Sequence, residues 1–96
     1  MLEMRPGCEC CDVDLSPESA EAMICSFECT YCRDCARDVL GYWCPNCGGA
    51  LVERPTRIAG LLEKYPASLT RIHQPDCAAR RAAWPRSPLG EASRPA

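Results

Sequence analysis

The 96-residue chain predicts a small α+β fold held together by bound metal rather than by a large apolar core. Three observations carry that expectation. Ten residues are cysteine, a density typical of chains stapled by disulfides or metal. Nine of them fall between Cys8 and Cys47, mostly in pairs two residues apart, the spacing with which a short turn aims two thiolates at one ion. Between the pairs lie short apolar segments and one stretch of helical composition, and a core of ~45 residues is near the size at which such staples are needed.

The elements follow in order. Residues 1–7 read as an extended lead-in, and Cys8 to Cys11 as the first knuckle. Residues 12–19 are rich in turn and cap residues, with Pro17 placed to open a brief helical turn behind Ser16. Ala22-Met23-Ile24 is a short apolar strand, and the strand character of Phe27 and Thr30-Tyr31 folds residues 23–31 into a tight hairpin. Residues 33–40 form one short helix, with Cys35, Val39 and Leu40 on its inner face and Gly41 as its stop. Cys44-Pro45-Asn46-Cys47-Gly48-Gly49 is the last knuckle, since proline fixes φ at its start and the glycines allow backbone N–H groups to turn toward sulfur. Ala50-Leu51-Val52 closes the module as a strand.

The expected organisation is a metal-binding module over residues 1–53, a short helix over 54–66 and a mostly disordered basic Ala/Pro/Arg tail over 67–96. In the middle segment Ile58, Leu61, Leu62 and Tyr65 form an apolar stripe expected to pack back on the module as extra core, the alternative being an exposed docking motif. Residues 1–53 carry ten acidic and three basic groups, residues 54–96 eight basic and three acidic. An acidic body argues against the module itself being a nucleic-acid platform, whereas its basic tail could add salt-sensitive attraction. The start of the chain has no apolar leader, and no apolar run approaches the ~18 residues of a membrane span. A cytoplasmic location without membrane partners is therefore expected, where thiols stay reduced and paired cysteines read as metal ligands. A disulfide framework is the alternative that export would favour.

With Cys10 set aside, eight cysteines run C-x2-C-x13-C-x3-C-x2-C-x2-C-x8-C-x2-C. This resembles the RING finger pattern, with cysteine where most RING domains have histidine. The resemblance covers Cys8 to Cys47, about two-fifths of the chain, and extends to Cys29-Thr30-Tyr31-Cys32-x2-Cys35, to the helix after it and to the Cys-Pro of the last pair. It implies a RING-like, treble-clef cross-brace in which the first and third pairs share one zinc and the second and fourth share another. Carried over, site 1 is Cys8, Cys11, Cys32 and Cys35, and site 2 is Cys25, Cys29, Cys44 and Cys47. The competing sequential topology puts Cys8, Cys11, Cys25 and Cys29 on one ion and the remainder on the other. Complete sets of four make both ions closed and structural, two Zn(2+), with iron as the alternative because Cys-Pro-x-Cys-Gly also resembles the rubredoxin knuckle.

The run from Met1 to about Tyr65, with its Cys-Glu-Cys-Cys-Asp and Ile-Cys-Ser-Phe-Glu-Cys-Thr-Tyr-Cys segments, is similar to a family of short bacterial cysteine-rich proteins catalogued as a domain of unknown function, family 1272. That likeness implies the same ligands and a bacterial cytosolic setting, and no activity. RING ligases dock a conjugating enzyme in an apolar groove that usually has an aliphatic residue between the first two ligands, where this chain has Cys10. The groove often has a tryptophan after the sixth ligand, where this chain has Val39 and Leu40, and a basic residue after the last, where it has Gly48. Only Pro45 fits, so ubiquitin-ligase activity is not expected.

The remaining candidates are weaker. Cys10 is either a reactive thiol beside the cluster or a small buried side chain, the second being favoured. Cys77 is expected to be a free surface thiol, the alternative being a thiol docked as an apolar group, and His73 a solvated residue, since Pro75 disfavours the helix that a His73–Cys77 metal pair needs. Tyr42 and Trp43 are core filler, Asp34 and Asp38 a solvated face, and Arg80, Arg81, Arg86 and Arg94 a solvated tail. The expected function is that of a non-enzymatic zinc-binding adaptor with a protein partner. The alternatives are nucleic-acid binding through module and tail, and a thiol/zinc redox sensor using Cys10.

Overall fold

Ala22, Met23 and Ile24 form β1 (Ala22–Ile24), and Thr30, Tyr31 and Cys32 form β2 (Thr30–Cys32). In the computed structural model, which describes residues 1–83, they pair antiparallel with Met23 opposite Tyr31. All six residues are buried, which suits apolar, β-branched and aromatic side chains on a pleat covered on both faces. The hairpin is the expected one, but Phe27 stands at its tip and is exposed rather than in a strand. A third strand, β3 (Val52–Glu53), joins the other edge of β1, giving the order β2-β1-β3. It lies one residue beyond the expected closing strand, because Ala50 instead bridges Trp43 across the last knuckle.

Helix α1 (Arg33–Asp38) starts directly from β2. Cys32 is its extended N-cap, and the Cys32 Sγ accepts from Cys35 N at 3.4 Å, so one sulfur satisfies an otherwise orphaned helix donor. The helix stops early. Gly41 takes φ +57° and Tyr42 φ +67°, which returns Tyr42 N to Ala36 O at 2.7 Å and satisfies a terminal carbonyl. The inner face is therefore Cys35, Ala36 and Leu40, while Val39 turns outward at 41% exposure. Trp43 is buried core, as expected, and Tyr42 half-buried.

The lead-in is part of the fold. Met4 is buried, and Gly7 bridges Asp14. Arg54, itself buried, clamps these segments: Nη1 donates to Arg5 O at 2.9 Å and Nη2 to Ser16 O at 2.9 Å and Leu15 O at 3.4 Å. Arg57 does the same further on, donating to Leu2 O and Tyr65 O, each at 2.9 Å. Residues 54–66 are thus held by guanidinium–carbonyl bonds. The expected apolar packing is slight: Leu62 and Tyr65 are half-buried, α2 (Ala59–Leu62) has no buried residue and Ile58 is 65% exposed. A helix of four residues is too short to present a continuous face.

Residues 67–83, the described part of the expected basic tail, lie against the module. Ser68 N donates to Met4 O and Gln74 N to Glu9 O, and the chain ends in α3 (Cys77–Ala83). Trp84, Arg86 and Arg94 lie outside the described residues. Among the described residues no helix is long and apolar enough to cross a membrane.

Substituting Arg54→Met keeps the volume but leaves three carbonyls without their donor. A loss of about 2 kcal/mol or more is expected, read from urea unfolding in saturating metal; unchanged stability would show that water replaces the clamp.

Candidate metal centre

Four segments deliver the cysteines to two places. Sγ atoms of Cys8, Cys11, Cys32 and Cys35 all lie within 4.8 Å of one another, and those of Cys25, Cys44 and Cys47 do likewise. The grouping is interleaved: the first knuckle meets the β2–α1 junction, and the hairpin turn meets the last knuckle. Sulfurs bound about 2.3 Å from a tetrahedral centre sit roughly 3.8 Å apart, and Cys11 Sγ is 3.7 Å from Cys32 Sγ. Both groups therefore could hold a metal ion.

The local backbone explains the convergence. In each knuckle the first sulfur accepts amide N–H groups from the turn that follows it. Cys8 Sγ accepts from Cys10 N and Cys11 N, Cys25 Sγ from Phe27 N, and Cys44 Sγ from Asn46 N, at 3.3–3.4 Å. Gly49 N reaches Cys47 Sγ at 3.4 Å, with Gly48 at φ +76° turning the chain for it. N–H groups aimed at sulfur favour thiolate, the form that binds metal.

Cys29, the fourth expected ligand of the second group, hydrogen-bonds with Cys25 and Cys44 but lies outside the tight set of three. Asn46 Nδ2 approaches its Sγ at 3.6 Å, and also Tyr31 Oη at 3.2 Å and Glu9 Oε1 at 3.4 Å. Glu9 is fully buried; its Oε2 accepts from Thr30 N at 2.7 Å and Arg5 Nη1 at 2.8 Å. Charged side chains are almost never so buried unless paired; here Arg5 is the partner, and the bond from Asn46 to Glu9 links the two knuckles. Glu9 and Asn46 were not singled out from sequence. Their signal was a carboxylate and an amide inside Cys-x2-Cys turns, positions that a knuckle necessarily places beside sulfur.

Crowding leaves the thiols electrostatically uneven. Hydrogen bonds from Cys29 and then Cys44 pull Cys25 far below the ordinary thiol range, and the bonds to Cys25 and Cys29 push Cys44 far above it. In the first group burial pushes Cys35 up, and Cys32 too. Several thiolates cannot share such a space unaided; a divalent cation removes the conflict by binding them all.

Other expectations fall differently. Cys10 is not a free reactive thiol and Cys77 is not a free surface one, because the two form a disulfide and Cys77 is buried. The fold brings α3 onto the first knuckle, a juxtaposition that 67 residues of separation hid. Arg80 and Arg81 are half-buried and engaged rather than fully solvated: Arg80 donates to Asn46 Oδ1 at 2.7 and 3.2 Å, and Arg81 to Leu40 O at 2.9 Å. His73 is exposed, and Asp34 and Asp38 pair with Arg37 on the outer face of α1.

A small α+β module with two interleaved cysteine groups is thus the class that fold and site define. The chain belongs to the family described as "Protein of unknown function (DUF1272)", which matches residues 1–57. It is similar to "Uncharacterized protein R02474" of Rhizobium meliloti (strain 1021), 61% identical over 84 residues that span 86% of this chain and 100% of the relative. No solved structure matches.

Two outcomes are expected. Asn46→Ala should weaken metal binding by roughly 10–100-fold, the usual effect of losing a partner of a ligand, in competition titrations with a chromophoric chelator; unaltered affinity would remove Asn46 from the site. Because the groups interleave, Cys8→Ala and Cys44→Ala should each abolish protection of β1 and β2 in hydrogen exchange. Loss confined to one group's segments would contradict that coupling.

Proposed function

We propose that the two cysteine groups each hold one structural zinc ion, Cys29 completing the second, and that the protein is a non-enzymatic adaptor binding another protein. The interleaved grouping and the helix that starts from a ligand support the RING-like, treble-clef reading. All-sulfur donor sets complete in fours leave no open coordination position for a substrate. Soft thiolates with N–H donors suit zinc, and iron is the competing ion for such a donor set.

The observation that carries the interaction reading is an open, mostly apolar groove of about 490 Å³ lined by Met1, Leu2, Met4, Pro55, Ile58 and Leu61, with Thr56 and Arg57 at its polar side. Contiguous apolar surface of this kind marks recognition sites. It lies on residues that the metal groups do not use, so the clusters supply rigidity and the groove contact.

A double substitution, Ile58→Asp with Leu61→Asp, should leave metal content and hydrogen-exchange protection of the sheet intact. It should weaken retention of the wild-type partner from a native bacterial lysate by at least tenfold, or about 1.4 kcal/mol. Equal retention by both proteins would refute the groove as the contact, and zinc-dependent turnover of a substrate would refute the non-enzymatic reading.

A further inference from the structure

Cys10 and Cys77 belong to neither metal-holding group, and the bond between them joins unequal partners. Cys10 sits inside the first knuckle, fixed on both sides by Cys8 and Cys11. Residues 66–83 form an arm laid on the module, and Cys77 is the only buried residue in it. Its other attachments include backbone bonds from Ser68 and Gln74, Arg57 donating to Pro66 O, an ion-pair group of Arg71 with Asp12 and Asp14 together with a bond from Arg71 to Asp12 O, a Ser68–Glu3 bond and the Arg80 and Arg81 contacts. Exposed ion pairs and single hydrogen bonds of this kind contribute little each. The covalent bond is therefore the strongest single attachment of the arm.

Its position also reaches the second cysteine group. Arg80 follows Cys77 by one turn of α3 and donates through Nε and Nη2 to Asn46 Oδ1. An amide is planar, so fixing its oxygen aims its nitrogen, and Asn46 Nδ2 faces Cys29 Sγ at 3.6 Å. Cys29 is the sulfur that stands apart from the tight set of three.

We propose that the Cys10–Cys77 disulfide is a redox latch: closed, it holds residues 66–83 on the module and keeps Asn46 aimed at Cys29; open, it frees the arm and loosens that sulfur. Opening takes two electrons and two protons from a dithiol reductant. The S–S bond breaks, Cys10 and Cys77 become thiols, and the reductant's two thiols become its own disulfide. Closing is the reverse reaction with a small disulfide oxidant, and none of the eight clustered cysteines is consumed. The latch does not depend on the apolar groove or its partner.

The test uses the full chain loaded with zinc, oxidised with glutathione disulfide or reduced with dithiothreitol that is then removed. Amide exchange over residues 68–83 should be roughly tenfold faster or more in the reduced chain, and in Cys10→Ser and Cys77→Ser, while β1 and β2 stay protected. A chromophoric chelator should capture one of the two zinc ions faster from the reduced chain, and from oxidised Arg80→Ala. Equal protection of the arm in both redox states would overturn the latch, as would failure of the pair to oxidise while zinc is retained. Equal zinc release from every form would overturn its link to Cys29.

Discussion

Convergence of sulfurs from four separate segments is the constraint on which the rest of the structure depends. The sheet has three short strands, α1 is six residues long and α2 four, so neither helix propensity nor sheet area can order a chain of this size alone. The segments are instead positioned by where their sulfurs must go. β1 and β2 run into Cys25 and Cys32, α1 begins at Cys32, and the last knuckle turns the chain back toward β3. Because the groups interleave, each draws together stretches that are distant in sequence.

A second, polar framework fills the space that a larger protein would give to apolar packing. Arg5, Glu9, Asn46 and Arg80 form a chain of hydrogen bonds from the lead-in, through both knuckles, to α3. Arg54 and Arg57 clamp carbonyls of the lead-in and of the loop after the first knuckle. Guanidinium groups suit this task because one planar fork satisfies several acceptors in fixed directions. The arginines of the basic half are therefore partly consumed in holding the fold, which reduces the positive surface available to a nucleic acid.

Local pattern carried much of this into the sequence. The hairpin, the helix after Cys32 and the turn at Gly41 follow from strand character, helical composition and a glycine stop. Spacing alone leaves interleaved and sequential pairings open; it is the RING resemblance that implies interleaving, and Cys29 falls outside the tight set of the second group. What stayed hidden was nonlocal. Val39 turns outward while Leu40 stays inside, because the helix ends at Asp38 rather than at residue 40. The apolar stripe around Ile58 read as core by periodicity, but only four residues become helical and the arginines beside it do the anchoring. Glu9, Asn46, Cys10 and Cys77 acquire their roles from contacts among the two knuckles and the arm that no sequence window spans.

The most direct test of the central claim, that two metal ions order this fold, is native mass spectrometry of the full chain before and after complete metal removal. Two zinc ions per chain are expected, in a narrow, low charge-state distribution that shifts to that of an unfolded chain when both are stripped. A compact chain free of metal, or one saturated by a single ion, would contradict it.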